Sequence, residues 1–276
     1  MEKMDFMFWL VSLESLSPKR RWAFWLQGEA LSDKERDKWV LKLIGDNKLN
    51  GVSKMIINRL KSLPHINWYD DDYPDLLREI AQPPLVLFYR GDRQLLQRNK
   101  VAIVGSRKMS AYGQALVVDW IPKLVSNDFV TVSGIAAGVD GCVHAETLLN
   151  AGQTIGVIGH GFDFVYPPQH RVLFRHIEQY GLVLSEYVPW VSPKRWRFPE
   201  RNRIIVGLTA NVWVVEAEQK SGSLVSAAIA ADENRQIWCV PRNVTDPRGQ
   251  GTNQLLCDGA NIAINGDDFL TGLTLT

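Results

Sequence analysis

The start of the chain carries apolar residues at helical spacing. This spacing places the apolar side chains of each helix on one face, so the helices are expected to pack around a small core. Four tryptophans suit such a core: Trp9, Trp22, Trp25 and Trp39. The predicted helices cover Phe6 to Leu16, Lys19 to Glu29, Ser32 to Ile44 and Gly51 to Leu60. We therefore predict an all-helical domain over residues 1–63.

The pattern then breaks in a connector, which we place at residues 64–84. Prolines and acids interrupt the helical spacing there. The run Asp70-Asp71-Asp72 is interpreted as a solvated turn and not as a metal site. A short helix, Asp75 to Ile80, and a strand, Leu85 to Tyr89, are predicted next.

From Val101 onward, short apolar runs alternate with segments of helical pattern. Strands are predicted at Val101–Val104, Val130–Val132, Thr154–Ile158, Leu182–Leu184, Val212–Val215, Ile237–Val240 and Asn261–Ile264. Helices are predicted at Gly113–Ser126, Asp140–Ala151, His170–Tyr180, Arg201–Leu208, Leu224–Glu233 and Asn253–Asp258. Apolar strands joined by crossover helices indicate an α/β fold with a mostly parallel sheet and helices on both faces. We predict that this domain covers residues 85–276.

Composition narrows the class of protein. The chain of 276 residues is 46% hydrophobic and 22% charged, with a net charge of +1, which is ordinary for a globular protein. It has no apolar run of eighteen residues and no signal peptide at its start, so we expect a cytoplasmic protein without a membrane contact. Its three cysteines are isolated, and no Cys/His cluster has metal-ligand spacing. We therefore expect free thiols, no metal and no cofactor.

Charge is concentrated in one stretch, from Lys194 to Arg203. It holds five cations and a single acid, together with Trp196 and Phe198. Aromatic rings stack on bases and guanidinium groups hold phosphates, so this composition indicates a local site for single-stranded nucleic acid. We expect Lys194, Arg195 and Arg197 to face solvent and phosphate. Arg201 and Arg203 have a structural alternative, since they can brace neighbouring loops.

Small residues follow several of the predicted strands. The segments are Gly105-Ser106-Arg107, Ser133-Gly134, Gly161 and Ser221-Gly222-Ser223. The carboxyl ends of parallel strands share one edge of the sheet, and glycine turns before a helix N-terminus can hold phosphate. Each segment alone is also compatible with a simple tight turn.

Two other features near these strand ends leave alternatives open. Asp140 can cap a helix or form a dyad with His144, and capping is favoured because no nucleophile accompanies the pair. His160 lies in a loop at the same edge, where it can titrate, contact phosphate or serve only the loop.

Taken in order, the motifs resemble those of the DprA/Smf family of DNA-processing proteins. They are Gly105-Ser106-Arg107 with Tyr112-Gly113, Ser133-Gly134 with Gly138 and Asp140, Gly161 with Tyr166-Pro167, Ser185-Glu186-Tyr187, Phe198-Pro199 with Arg201-Asn202-Arg203, and Ser221-Gly222-Ser223. The resemblance covers roughly residues 70–265. It implies an extended Rossmann-like domain that binds single-stranded DNA, forms a homodimer and loads the RecA recombinase, which protects incoming DNA in natural transformation. It also implies that the N-terminal helices form a SAM-like module, and we expect no C-terminal winged helix.

The resemblance centres the DNA pocket on Arg107. The residues expected to contact DNA are Gly105, Ser106, Arg107, Ser133, Gly134, Gly161, His170, Arg171, Lys194, Arg197, Phe198, Arg201, Asn202, Arg203, Lys220, Ser221, Gly222 and Ser223. Just after Tyr166-Pro167 the family often has a basic residue and an asparagine, whereas this chain continues with Pro168-Gln169-His170-Arg171. We therefore expect one phosphate contact to shift to Arg171 or to come from His170. Arg242 replaces a glycine after Pro241, and it either adds a cation at the rim or alters a turn. For the dimer surface, Leu255, Leu256 and Ile262 are the candidates.

An enzyme is the alternative. Related Rossmann-like proteins hydrolyse nucleoside monophosphates with a glycine-rich loop and a glutamate, and here the corresponding loop, Lys220 to Ala227, has no glutamate. Glu216 and Glu218 precede it and could serve such chemistry. We expect no catalytic residue, and keep a nucleotide sensor or an N-glycosidase as the alternative.

Overall fold

The computed structural model describes residues 1–47 and 52–275. Four helices come first, α1 Lys3–Ser12, α2 Pro18–Glu29, α3 Asp33–Asn47 and α4 Lys54–Lys61. The later helices are α5 Asp75–Glu79, α6 Ala111–Ser126, α7 Val139–Leu149, α8 Arg171–Tyr180, α9 Arg197–Gly207, α10 Gly222–Asp232, α11 Gln250–Cys257 and α12 Gly266–Gly272. The strands are β1 His65–Asn67, β2 Val86–Gly91, β3 Lys100–Val104, β4 Val130–Ser133, β5 Thr154–Ile158, β6 Leu182–Ser185, β7 Asn211–Val214, β8 Gln236–Cys239 and β9 Asn261–Ile262.

All these strands join one sheet in the order β1-β2-β6-β5-β4-β3-β7-β8-β9. The pairs from β6 to β9 are parallel, and only β1–β2 and β2–β6 are antiparallel. The predicted α/β class with a mostly parallel sheet is confirmed. The predicted strands are present, with ends that differ by no more than two residues.

Two elements were not predicted. β1 lies inside the predicted connector and pairs with β2, where His65 is opposite Phe88. Three residues are too few to show an alternation, and only the pairing to a distant strand makes them extended. The last helix, α12, begins after Asn265, whose side chain accepts from the N–H groups of Asp267 and Asp268. Gly51, the predicted start of the fourth helix, lies outside the described residues.

Side chains of the buried strands point alternately to the two faces of the sheet, and each face carries an apolar cluster. Val101 and Ile103 of β3 pack with Trp213 on one face, whereas Ala102 and Val104 pack in the cluster on the other. A strand that is buried on both sides therefore needs apolar residues on both faces, as residues 101–104 of β3 have after Lys100 at its start.

The N-terminal helices pack on the sheet and share an apolar cluster with it. Phe8 of α1 contacts Phe88 of β2, with ring centroids 6.5 Å apart. The same cluster includes Ile158 at the end of β5 and Tyr187 beyond β6. The helices are thus in contact with the sheet close to the ends of its strands.

The strand order creates a crevice beside β3. The chain moves outward from β3 through β4 and β5 to β6, and then crosses to β7 on the other side of β3. Loops at the carboxyl ends of β3 and β7 therefore run in opposite directions and leave a space between them. In open α/β sheets, ligands bind at such a switch point.

Candidate nucleic-acid interface

A cavity of about 470 Å³ lies at this switch point. The β3–α6 loop, the first turns of α9 and the β7–α10 loop form its walls. Its lining includes Gly105, Ser106, Arg107, Lys108, Phe198, Pro199, Arg201, Asn202, Glu218, Ser221, Gly222 and Ser223. A smaller cavity of about 120 Å³ shares Arg107, Phe198 and Arg201 with it, and adds Gly134 and Tyr166. We call the two cavities together the strand-end groove.

The β3–α6 loop is held in place from two directions. Ser110 caps α6 by accepting from the N–H of Gly113, and Ser106 accepts from the N–H of Lys108. On the other side, Gly138 at the start of α7 has φ +79°, and a Cβ there would lie 2.2 Å from the carbonyl oxygen of Ser106. The loop and the α7 N-terminus can approach so closely only because residue 138 is glycine.

Arg107 is exposed and lies over an aromatic ring. Its guanidinium carbon is 5.4 Å from the ring centroid of Phe198, and the Phe198 ring is 5.3 Å from that of Tyr166. A guanidinium group over a ring face gains a cation–π interaction. The groove thus combines a cation with two adjacent rings.

Arg201 lines the groove from below, although it is almost fully buried. It donates to the carbonyl oxygens of Gly134 and Val157, at the ends of β4 and β5. Burial lowers its pKa to about 10. Burial raises the pKa of Asp140, because it disfavours the charged carboxylate. The positive charge of Arg201 lowers the pKa of Asp140 and so offsets part of this increase. Arg201 therefore braces two strand ends, in line with the structural alternative.

The expectation that Arg197 faces solvent is wrong. Arg197 is 1% exposed, donates to the carbonyl oxygen of Ser192 and lies 3.2 Å from Glu14. Arg203 is also buried and pairs with Glu186 at 2.6 Å. Both arginines find acids that are distant in sequence or on another element, which a local count of charges does not reveal.

Several other predicted residues lie outside the groove lining. Ser133 donates to the carbonyl oxygen of Ile103, and His170 Nδ1 contacts the carbonyl oxygen of Ile135. Gly161 is buried, and a Cβ there would meet the carbonyl of Val188 at 2.1 Å, so its lack of a side chain serves loop packing. The other three basic residues that were predicted to contact DNA are all exposed. They are Arg171, Lys194 and Lys220.

The groove also contains residues that were not predicted. Lys108 is exposed beside Arg107, and Tyr166 contributes the second ring. Lys108 could have been predicted from the sequence, because it directly follows Arg107. Tyr166 was visible only as part of a motif, because the contact with Phe198 joins loops that are distant in sequence.

Arg242 and Glu216 form a buried ion pair 2.8 Å apart. Arg242 also pairs with Asp246 and lies over the ring of Tyr112, with 4.6 Å from its guanidinium carbon to the ring centroid. Glu216 accepts from the N–H and Oγ of Ser110. Arg242 therefore stabilises the fold and is not a free cation at the rim, and Glu216 is already fully engaged.

The Asp/His dyad is not formed. His144 Nδ1 contacts Thr154 Oγ1 at 2.7 Å, whereas Asp140 accepts from the backbone N–H of Ala136. Gly138 caps α7, so Asp140 lies in its first turn and does not cap it. His160 is 1% exposed, and burial lowers its pKa.

Two kinds of feature are absent from residues 1–47 and 52–275: a metal-binding cluster and a helix that could span a membrane. No group of three or more His, Cys, Asp or Glu side chains is arranged to hold a metal ion. No helix in that part of the chain combines the length and apolar character needed to cross a bilayer.

The sequence is similar to that of known proteins over most of its length. The sequence model of a family described as DNA recombination-mediator protein A matches residues 65–274. The chain belongs to this family. The DNA processing protein DprA of Streptococcus pneumoniae is 41% identical over 210 residues, which are 76% of this chain and 74% of the relative. The Bacillus subtilis DprA is 40% identical over 202 residues, which are 73% of this chain and 68% of the relative.

Solved structures of DprA proteins extend the comparison to the fold. The Streptococcus pneumoniae structure superposes with a TM-score of 0.78 at 38% identity, covering 82% of this chain and 80% of that one. A DprA structure from Helicobacter pylori, described for its single-stranded DNA binding mode, gives a TM-score of 0.69 at 31% identity, covering 76% and 95%. The DprA/Smf resemblance and the Rossmann-like fold are thereby confirmed.

Proposed function

We propose that the chain binds single-stranded DNA in the strand-end groove. One observation carries the proposal: the exposed guanidinium of Arg107 lies on the Phe198 ring, inside a cavity at the switch point of the sheet. Membership of the DprA family supports it, since the Helicobacter pylori relative is described for its binding of single-stranded DNA.

Phosphate and base would be held by different parts of the groove. Arg107 and Lys108 supply cations, and the first N–H groups of α10, near Ser221 and Gly222, favour an anion. Phe198 and Tyr166 supply rings on which unpaired bases can stack. A duplex keeps its bases stacked on each other, so this arrangement favours a single strand.

The exposed cations outside the lining would extend the contact. Lys194, Arg171 and Lys220 are all exposed, and a strand longer than the groove would bring further phosphates towards them. We infer a secondary role for these three residues. Ser133, Gly161, Arg197 and Arg203 are assigned to the structure of the site and not to direct DNA contact.

We further propose that the protein forms a homodimer and loads RecA onto the bound strand, which would protect incoming DNA in natural transformation. This finer role rests on the family. Ile262 of the edge strand β9 is 53% exposed, which suits a dimer surface that includes Leu255 and Leu256. Sedimentation of the wild type and of Ile262→Asp would test the dimer, and RecA filament formation with and without the protein would test loading.

The deciding experiment is a titration with three ligands: an oligothymidylate, a duplex of the same length and a nucleoside monophosphate. We expect tight binding of the single strand, weaker binding of the duplex and little binding of the mononucleotide. Equal affinity for single strand and duplex would contradict the proposal.

The third ligand also tests the enzyme. Glu218 lines the cavity, where an N-glycosidase would need a carboxylate. Chromatography of the reaction mixture would detect a released base. Tight binding of the mononucleotide would favour the nucleotide sensor, and release of the base would favour the N-glycosidase.

A further inference from the structure

Helix α9 forms one wall of the strand-end groove, and its buried arginines connect it to other parts of the molecule. Phe198, Arg201 and Asn202 line the groove from its first turns. Arg197 and Arg203 of the same helix point away from the groove and are buried. The position of the wall therefore depends on what holds these two side chains.

Glu186 holds Arg203. This carboxylate follows β6 and is 2% exposed. Its two oxygens accept from Nη2 of Arg203 at 2.7 and 2.6 Å. One of them also accepts from Nη1 of Arg21 at 3.3 Å. A single buried carboxylate is thus shared by α9 and the N-terminal helix α2.

Arg21 is itself fixed among the N-terminal helices. It donates to the carbonyl oxygens of Leu10 and Leu16, which lie in α1 and in the α1–α2 connection. A second link runs in parallel, because Glu14 of the same connection pairs with Arg197. We call these two links the α9 clamp: Arg21–Glu186–Arg203 and Glu14–Arg197.

Burying such charges is a costly way to gain stability. Removing two guanidinium groups and a carboxylate from water costs desolvation energy, and apolar residues of similar size often stabilise a core as well or better. What the charged arrangement adds is a defined geometry, since the bonds from Nη2 of Arg203 and Nη1 of Arg21 to Glu186 form only when the two helices are correctly placed. The clamp therefore fixes α9 against the N-terminal helices in one position.

We propose that Arg21 and Glu14 are positioning residues for the DNA groove, acting on Phe198 and Arg201 through the clamp. The N-terminal helices then set the affinity for single-stranded DNA without contacting it. This inference rests on the proposed function of the groove. It assigns to the N-terminal helices a role beyond covering the sheet.

The test compares Arg21→Met with Arg36→Met in the whole chain of 276 residues. Arg21→Met leaves Glu186 paired with Arg203, so no buried carboxylate loses all its partners. Arg36 is the matched control, because it is 1% exposed and donates to carbonyl oxygens of Gly28, Met1 and Leu31 without contacting α9. Both variants loosen the N-terminal helices, and only Arg21→Met breaks a link of the clamp, the contact between Arg21 and Glu186.

We expect Arg21→Met to weaken oligothymidylate binding about tenfold, Arg36→Met to leave it unchanged, and Arg21→Lys to recover part of the loss. The salt dependence separates positioning from contact. A lost phosphate contact lowers the slope of log affinity against log salt by about 0.7, whereas a displaced wall leaves the slope as in the wild type. Equal losses for the two methionine variants, or a reduced slope for Arg21→Met, would overturn the inference.

Hydrogen exchange of the α9 amides gives a readout without DNA. We expect faster exchange at residues 198–205 in Arg21→Met than in Arg36→Met, and unchanged exchange would overturn the clamp. If Arg21→Met does not fold, Glu14→Gln replaces it, since Glu14 is 42% exposed and its loss disturbs little else. Failure of the proposed function is distinguishable, because then the wild type itself does not bind oligothymidylate, whatever the exchange shows.

Discussion

At the scale of single residues, Arg107 is the strongest candidate for DNA contact. We predict that Arg107→Ala leaves the melting temperature unchanged, because the side chain is exposed. A charge-assisted hydrogen bond contributes about 1.5–3 kcal/mol, so affinity for oligothymidylate should fall roughly ten- to hundredfold. Fluorescence anisotropy measures the change. Arg175→Ala, at an exposed arginine of α8 outside the groove, is the control. Similar affinity of the two variants would argue against the site.

His144 links a single residue to the pH dependence of stability. Burial lowers its pKa to about 3 from an ordinary 6.5, and nearby His170 and Arg201 act in the same direction. Between these two pKa values, His144 binds a proton in the unfolded chain and stays neutral in the folded protein. The contribution of His144 to the free energy of unfolding is therefore complete above pH 6.5 and is lost as the pH falls.

The expected loss is about 2–3 kcal/mol between pH 6.5 and 4.5, since each pKa unit corresponds to about 1.4 kcal/mol. Urea titrations across this range should show the loss for the wild type. His144→Gln, which does not titrate there, should lose less. Parallel curves for the two proteins would contradict a neutral buried imidazole.

At the scale of elements, α9 shows where prediction from sequence ends. Its basic and aromatic composition indicated a nucleic-acid site, and Phe198 does line the groove. The arginines of α9 do not all face the groove, because they lie on different sides of the helix. Arg197 and Arg203 point inward, where they pair with Glu14 and Glu186. Those partners lie on other elements, so no local pattern could assign them. The turns at the strand-end glycines were easier to predict from the sequence, because a glycine directly after a buried strand already indicates a turn.

The contact between the β3–α6 loop and α7 gives a prediction at this scale. Gly138→Ala places a Cβ against the carbonyl groups of Ser106 and Arg107 and also strains a backbone at φ +79°. We expect a loss of stability above about 1 kcal/mol and weaker DNA binding, because the loop that carries Arg107 must shift.

Gly259→Ala separates the two effects. Gly259 has φ +102°, and no atom lies within 4 Å of a Cβ added there. This variant should lose about 1 kcal/mol from backbone strain alone, with DNA affinity unchanged. Urea titration and anisotropy measure both quantities. If Gly138→Ala also keeps full affinity, the loop does not depend on this contact.

At the scale of the whole molecule, the sheet was predictable because its strands are continuous apolar runs between crossover helices. The order of the strands and the pairing of β1 with β2 could not be predicted, because both depend on contacts between residues distant in sequence. The order matters most for function. It places the β3 and β7 loops on either side of one crevice, and so brings Arg107 and Ser221 to a common cavity.

The charge of the whole chain leads to the last prediction. A net charge of +1 gives little long-range attraction for DNA, so binding must depend on cations in the groove. About three phosphate contacts would give a slope near −2 for log affinity against log salt. The double variant Arg107→Ala, Lys108→Ala should reduce this slope by about 1.4. Lys38→Ala, Lys42→Ala on α3 removes the same net charge from exposed positions outside the groove and should leave the slope unchanged. Equal effects of the two double variants would mean that the overall charge, and not the groove, attracts the strand.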